Sequence, residues 1–233
     1  YPPGIPTEID PDQFRSVPDL LEKSVVKFAG KPAFHNLGHS LTYAELDRLS
    51  RDFAAFMQGL PGLSKGERVA IMAPNLLQYP VALFGILRAG MVVVNVNPLY
   101  TPRELEHQLK DSGAKAILIF ENFAHTLDEV LPATHIETVI VTGVGDLLGF
   151  PKSTLVNFVV RHVRKQVPEY SLPGSIGFLE ALGKGKFENL QPVPIGHDDV
   201  AFLQYTGGTT GVSKGAVLTH RNMVANVLQT EAW

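Results

Sequence analysis

The residues best equipped for chemistry form one run: Phe202-Leu203-Gln204-Tyr205-Thr206-Gly207-Gly208-Thr209-Thr210-Gly211-Val212-Ser213-Lys214-Gly215-Ala216. Its four glycines let the backbone bend sharply and approach a ligand with no Cβ in the way. Successive N–H groups in such a loop form an anion-binding nest. Thr206, Thr209, Thr210 and Ser213 add hydroxyls able to donate to phosphate oxygens or to coordinate Mg²⁺, and Lys214 adds one mobile positive charge. A triphosphate requires that combination of many donors, one cation and little bulk. By composition alone an ordinary flexible turn between two strands fits equally well. The order of the residues decides between them.

That order is not the Walker A pattern, which needs Gly and Lys adjacent, then Ser or Thr, opening a helix. Here Ser213 precedes Lys214, Gly215 comes after it, and Ala216-Val217-Leu218 reads as a strand. Nor is it the dinucleotide G-x-G-x-x-G fingerprint. Ser213 has no His/Asp relay in its sequence context, so a serine-hydrolase reading has little support.

The elements that must position the loop alternate along the chain. Residues 68–72 form a short apolar strand and residues 76–89 a helix that stops on Gly90, a residue suited to the left-handed cap position. Residues 91–96 are Val-rich, as in a strand buried on both faces. Thr101-Pro102-Arg103-Glu104 combines a capping box with proline at the first helical position, opening a helix that ends near Gly113. Next come a strand over 116–120, a helix over 123–131 and a strand over 138–141. Upstream, Ser16-Val17-Pro18-Asp19 opens a helix to about Phe28, residues 33–37 and 39–41 form a hairpin, and Thr42-Tyr43-Ala44-Glu45 is a second capping box opening a helix to about Met57. Residues 143–190 are irregular, with one or two helices; Gln191-Pro192-Val193-Pro194-Ile195-Gly196 is a linker. Residues 199–205 are again a strand and residues 219–233 a helix. The fold class this predicts is α/β, a mostly parallel sheet with helices on both faces. The expected division is a first α/β subdomain over 1–190, then linker, loop and the start of a further subdomain over 191–233.

Composition agrees with a packed domain. Of 233 residues 45% are hydrophobic and 18% charged, which supports a sizeable core and argues against disorder. A net charge of −3 gives no basic field for nucleic acid. The absence of cysteine rules out disulfides and thiolate chemistry within these residues and fits a reducing compartment. The opening YPPGIPTEIDPDQF has neither a charged n-region nor an apolar h-region, so it does not read as a signal peptide. It also lacks an initiator Met, and the other end stops within a helical pattern, as expected of a fragment. The most apolar stretch, 79–96, reads as buried helix then buried strand rather than a membrane span.

The loop resembles the phosphate-loop motif of the adenylate-forming superfamily, which comprises acyl-CoA synthetases, luciferases and peptide-synthetase adenylation domains. The family pattern is Tyr-Thr-Ser-Gly-Thr-Thr-Gly-x-Pro-Lys-Gly-Val. Tyr205, Thr206, Gly208, Thr209, Thr210, Gly211, Lys214 and Gly215 match it; Gly207, Ser213 and Ala216 replace Ser, Pro and Val. The runs Leu41-Thr42-Tyr43-Ala44-Glu45-Leu46, Gly66-Glu67-Arg68-Val69-Ala70, Asn95-Val96-Asn97-Pro98-Leu99-Tyr100-Thr101-Pro102-Arg103-Glu104-Leu105 and Leu218-Thr219-His220-Arg221-Asn222-Met223 are also similar to the family. The Gln-Tyr-Thr-Gly-Gly variant and the Asn-Pro-Leu-Tyr-Thr run look most like bacterial long-chain fatty acid–CoA ligases.

The resemblance implies ATP-dependent activation of a fatty acid to acyl-AMP, then transfer to coenzyme A. It implies that residues 205–216, Val212 and Ala216 included, bind the triphosphate, with Thr209 touching Mg²⁺ and Lys214 a phosphate. The adenine motif, a second acidic Mg²⁺ ligand and the main catalytic lysine are expected beyond Trp233, so this chain alone is expected to be inactive. Alternatives are another adenylate-forming ligase, for a carrier-bound or an aryl or medium-chain acid, or a non-catalytic nucleotide- or lipid-binding module. The implied location is cytoplasmic.

Weaker signals lie elsewhere. From Lys152 to Gln166 a helical wheel puts Leu155, Val156, Val159, Val160 and Val163 on one face and Arg161, Arg164 and Lys165 on the other. Such a helix suits peripheral contact with the inner face of the cell membrane, or simply packs on the domain with its basic face in water. His35 and His39 flank a hairpin and lack a third ligand nearby. His220 either borders the ligand or packs at a helix start. Trp233 either lines an acyl tunnel or is an ordinary helix residue. Asp198 and Asp199 read as a turn or cap.

Overall fold

A computed structural model describes residues 6, 8–206 and 213–233. The chain begins, after a short 3₁₀ turn, with α1 (Val17–Phe28), whose first turn is capped by Ser16 accepting from the Asp19 N–H. The hairpin β1 (Pro32–Asn36) and β2 (His39–Thr42) stands apart as its own two-stranded sheet. Thr42 then caps α2 (Tyr43–Gln58) through a complete capping box with Glu45. Beyond it lie β3 (Arg68–Met72), α3 (Gln78–Arg88), β4 (Val92–Asn95), α4 (Pro102–Ser112), β5 (Ala116–Phe120), α5 (Ala124–Val130) and β6 (Thr138–Thr142). The other expected capping box, Thr101 with Glu104, is complete at the start of α4, and Gly113 ends that helix in the left-handed region at φ 62°.

The stretch read as irregular is more ordered than its sequence suggested. It contains α6 (Lys152–Phe158), which runs on into a π turn at Val159–Val163, then β7 (Ile176–Gly177) and α7 (Phe178–Gly185). The chain continues with β8 (Val200–Thr206), β9 (Lys214–Thr219) and α8 (His220–Ala232).

Among the described residues seven strands form one sheet in the order β7-β6-β5-β3-β4-β8-β9. All pairings are parallel except β8 with β9. The expected α/β class with a mostly parallel sheet is therefore observed. Side chains alternate across it, as the two-residue period of a strand requires. Val69 and Ile71 of β3 join a core that includes residues of α1, α2, α3 and α7; Ala70 and Met72 join the opposite core with α4 and α5. Helices thus cover both faces. The apolar stretch 79–96 is α3 and β4, inside the domain, and no helix among the described residues is long and apolar enough to cross a membrane.

β8 runs parallel beside β4, pairing Val93 with Phe202 and Asn95 with Gln204. This places the turn after β8 at the carboxyl edge of the parallel strands, where open α/β sheets bind ligands.

Candidate phosphate-loop site

The Gly/Thr loop leaves the sheet through a two-stranded antiparallel stem. Tyr205 pairs with Gly215 and Thr206 with Lys214 across it. Residues directly opposite in an antiparallel pair project to the same face. One face of the stem therefore carries Tyr205 and Gly215, the other Thr206 and Lys214. The two faces differ in environment: Tyr205 is buried, whereas Thr206 and Lys214 are both exposed. The cation and one hydroxyl of the proposed site stand together at the loop's mouth. Gly207, Gly208, Thr209, Thr210, Gly211 and Val212 lie outside the described residues, and with them the expected Mg²⁺ contact at Thr209. Among the described residues no cluster of three or more His, Cys, Asp or Glu side chains could hold a metal ion.

The buried face rests on α4. The Tyr205 hydroxyl donates to Asp111 Oδ2 at 2.6 Å, a charge-assisted bond of the short kind. Burial pushes the Tyr205 phenol well above its ordinary value, and the bond to Asp111 adds to that, so the hydroxyl stays a donor. One turn earlier on α4, His107 Nε2 donates to the backbone carbonyl of Ser213 at 3.3 Å. Between them Gln108, fully buried, donates from Nε2 to the Asn95 carbonyl at 2.7 Å. Asn95 closes a second link: its Nδ2 donates to Gln204 Oε1 at 2.9 Å, and its Oδ1 accepts from the Tyr79 hydroxyl at 2.8 Å. The ends of β4 and β8 and the helix start of α3 are thereby joined just below the loop.

Asp111 and His107 were not singled out by the sequence. The only available signal was position: His107, Gln108 and Asp111 are spaced i, i+1, i+4 and so share one side of an amphipathic helix.

The remaining sequence candidates have structural roles. His220 is 2% exposed and its Nδ1 accepts from the Val17 N–H at 3.2 Å, so it packs α8 against the start of α1. Burial pulls its pKa down to about 4, against a smaller upward pull from Asp199. Asp199 belongs to a turn: Oδ2 accepts from the Gly196 N–H at 2.8 Å and from Lys65 at 2.9 Å. His35 Nδ1 meets Ser40 Oγ at 2.8 Å across the hairpin. Trp233 is exposed at the end of α8.

The 152–166 segment departs from its helical wheel. The π turn adds a residue per turn and so rotates the side chains beyond it. Val156, Val159 and Val160 are half-buried, whereas Val163, within the π turn, is exposed; Leu155, expected on the same face, is exposed too but lies before the turn, which does not account for it, and Phe150 and Phe158 are also exposed. Arg161 turns inward to Glu121, with Nε 2.6 Å from Oε2. Burial raises the Glu121 carboxyl, and the Arg161 bond opposes it.

Comparison with known proteins agrees with this geometry. The AMP-binding enzyme family matches residues 21–233. Curated relatives include the long-chain-fatty-acid–CoA ligases of Escherichia coli O157:H7, 59% identical, and of Salmonella typhimurium, 57% identical, each over 100% of this chain. The chain spans 41% of the length of these relatives. Among solved structures, a long-chain-fatty-acid-CoA ligase from Archaeoglobus fulgidus superposes with a TM-score of 0.75 at 27% identity, covering 100% of this chain and 42% of that one. With the family matched over residues 21–233 and such relatives aligned along the whole chain, the chain belongs to the AMP-binding enzyme family.

Proposed function

We propose that this chain is the phosphate-holding portion of an ATP-dependent ligase that activates long-chain fatty acids and passes them to coenzyme A. The observation that carries the reading is the two-faced stem, with Thr206 and Lys214 exposed side by side at the carboxyl edge of the sheet. The identity to long-chain-fatty-acid–CoA ligases supports the substrate class. Lys214 supplies charge to the β- and γ-phosphates, the loop N–H groups and hydroxyls cradle them, and Thr209 contributes to the Mg²⁺ shell. The work of these residues is positioning and charge stabilisation of a reaction between two substrates, the acid and ATP. A nucleophile from the protein is not required. The division into a subdomain over 1–190 and a loop-bearing segment over 191–233 belongs to the same proposal.

The test is Lys214→Ala in a chain of the relatives' full length. Loss of a hydrogen bond to a charged group raises the KM for ATP about tenfold or more and leaves the KM for fatty acid near its original value. An unchanged KM for ATP would assign the triphosphate to other residues.

A second reading concerns the membrane. Phe150, Leu155, Phe158 and Val163 are exposed by 88, 63, 55 and 65%, and Arg164 and Lys165 stand exposed beside them. Apolar side chains with basic neighbours suit the anionic surface from which a fatty acid is collected, at the inner face of the cell membrane. Flotation with anionic vesicles checks it. Leu155→Ser/Phe158→Ser together with Arg164→Glu/Lys165→Glu abolishes binding, whereas unchanged binding rejects this face. Arg161 is left intact because it neutralises buried Glu121.

A further inference from the structure

Both ends of the loop are fastened to the same helix. The outgoing end is held where Tyr205, buried on the inner face of the stem, donates to Asp111. The returning end is held where the Ser213 carbonyl accepts from His107. His107 and Asp111 are one helical turn apart on α4, so the two anchor points have a fixed separation set by the helix. α4 is itself fixed to the sheet by buried Gln108, which bonds the Asn95 carbonyl at the end of β4, and by Leu105 and Leu109 in the core. Thr206 and Lys214 stand on the opposite face of the same stem, so their placement follows from whatever holds Tyr205 and Ser213.

We propose that Asp111 and His107 are positioning residues: they fasten Tyr205 and Ser213, at the two ends of the stem, to α4 and so place Thr206 and Lys214 for a triphosphate. This deepens the reading of residues 205–216 as the triphosphate site and rests on it. Neither side chain is assigned contact with ATP. They act through Tyr205 and Ser213, and Lys214, next in sequence to Ser213, is oriented by the second clamp. Releasing either anchor frees Thr206 and Lys214 to leave their places, and binding must then order them again, so affinity for the nucleotide falls while the fatty acid is unaffected.

The experiment uses a chain of the relatives' full length and steady-state kinetics with ATP and fatty acid varied separately, with thermal unfolding recorded for every variant. Asp111→Ala, Tyr205→Phe and the double variant break one bond three ways; Asp111→Asn keeps an acceptor oxygen for the Tyr205 hydroxyl; His107→Ala releases the other end. The expected result is a rise of about five- to tenfold in the KM for ATP for Asp111→Ala and for Tyr205→Phe. The double variant is no worse than either, because both lose the same bond. Asp111→Asn recovers most of the affinity, His107→Ala shows a smaller rise, and the KM for fatty acid stays constant throughout. The clamp is overturned if Asp111→Ala leaves the KM for ATP unchanged. It is equally overturned if the Asp111→Ala and Tyr205→Phe effects add, if Asp111→Asn is as impaired as Asp111→Ala, or if the KM for fatty acid rises in parallel. Lys214→Ala in the same series separates the two levels. An effect of Lys214→Ala without one from Asp111→Ala rejects the clamp and keeps the loop; no effect from either rejects the loop.

Discussion

Gly215 lies across the stem from Tyr205, and a Cβ placed on it would stand 3.0 Å from the ring's Cε2 and 3.4 Å from the hydroxyl oxygen. The glycine is needed because the ring occupies the space a side chain would take, and the ring must lie there for its hydroxyl to reach Asp111. Gly215→Val is predicted to displace the ring, break the bond to Asp111 and raise the KM for ATP at least as much as Tyr205→Phe does. Steady-state kinetics checks this, and a Gly215→Val enzyme with unaltered KM for ATP would show that the ring position is immaterial.

His220 makes stability depend on pH. Its folded value of about 4 lies below the ordinary 6.5, because burial disfavours the cation and Lys65 and His197 repel it more weakly. Between those values the unfolded chain binds the proton and the folded chain does not. The contribution, about 3 kcal/mol, is complete above pH 6.5 and is lost as pH falls toward 4. The bond from the Val17 N–H to Nδ1 acts in the same sense as burial, since a protonated Nδ1 could not accept it. Urea unfolding at pH 7.5 and 5.0 measures the slope, and His220→Asn flattens it.

Glu121 and Arg161 form a bridge in which the acid is 1% exposed and its other oxygen, Oε1, has no partner among the described residues. Arg161→Ala strands a buried carboxylate and is predicted to cost about 2 kcal/mol. Adding Glu121→Gln removes the charge, so the double variant should be more stable than Arg161→Ala alone. Equal stability by denaturant titration would mean the carboxyl finds water.

Two glycines of α7 should behave oppositely. A Cβ at Gly185 would run into the Asp52 carbonyl on α2, whereas at Gly183 no such atom of the described residues lies within 4 Å. Gly185→Ala is predicted to separate the helices and cost roughly 2 kcal/mol or more. Gly183→Ala, in an exposed helix interior, should stabilise by about 0.5–1 kcal/mol. Melting temperatures of the pair check both signs together.

Much of this architecture was legible from local chemistry. Thr42 with Glu45 and Thr101 with Glu104 announce helix starts within four residues, and those caps are formed. The Val-rich run at 92–95 reads as a buried strand because both its faces are covered. The features that escaped are those local pattern cannot carry. β7 has two residues, too few for any period. The wheel at 152–166 assumed a uniform helix and failed where the π turn changes the spacing. The loop's chemistry was written in its residue order, but its support was not: Asp111 and Tyr205 are 94 residues apart, and only the pairing of β4 with β8 brings α4 beneath the stem.

Thr206 and Lys214, at the mouth of the stem, are proposed to present the triphosphate site of a fatty-acid ligase. Fatty-acid-dependent exchange of pyrophosphate into ATP, measured on a chain of the relatives' full length and on its Lys214→Ala variant, reads the first step alone. Exchange is expected to require a long-chain acid and, in the variant, to show a KM for ATP raised about tenfold or more. Exchange that ignores the acid, or a KM for ATP that ignores Lys214, would contradict that assignment.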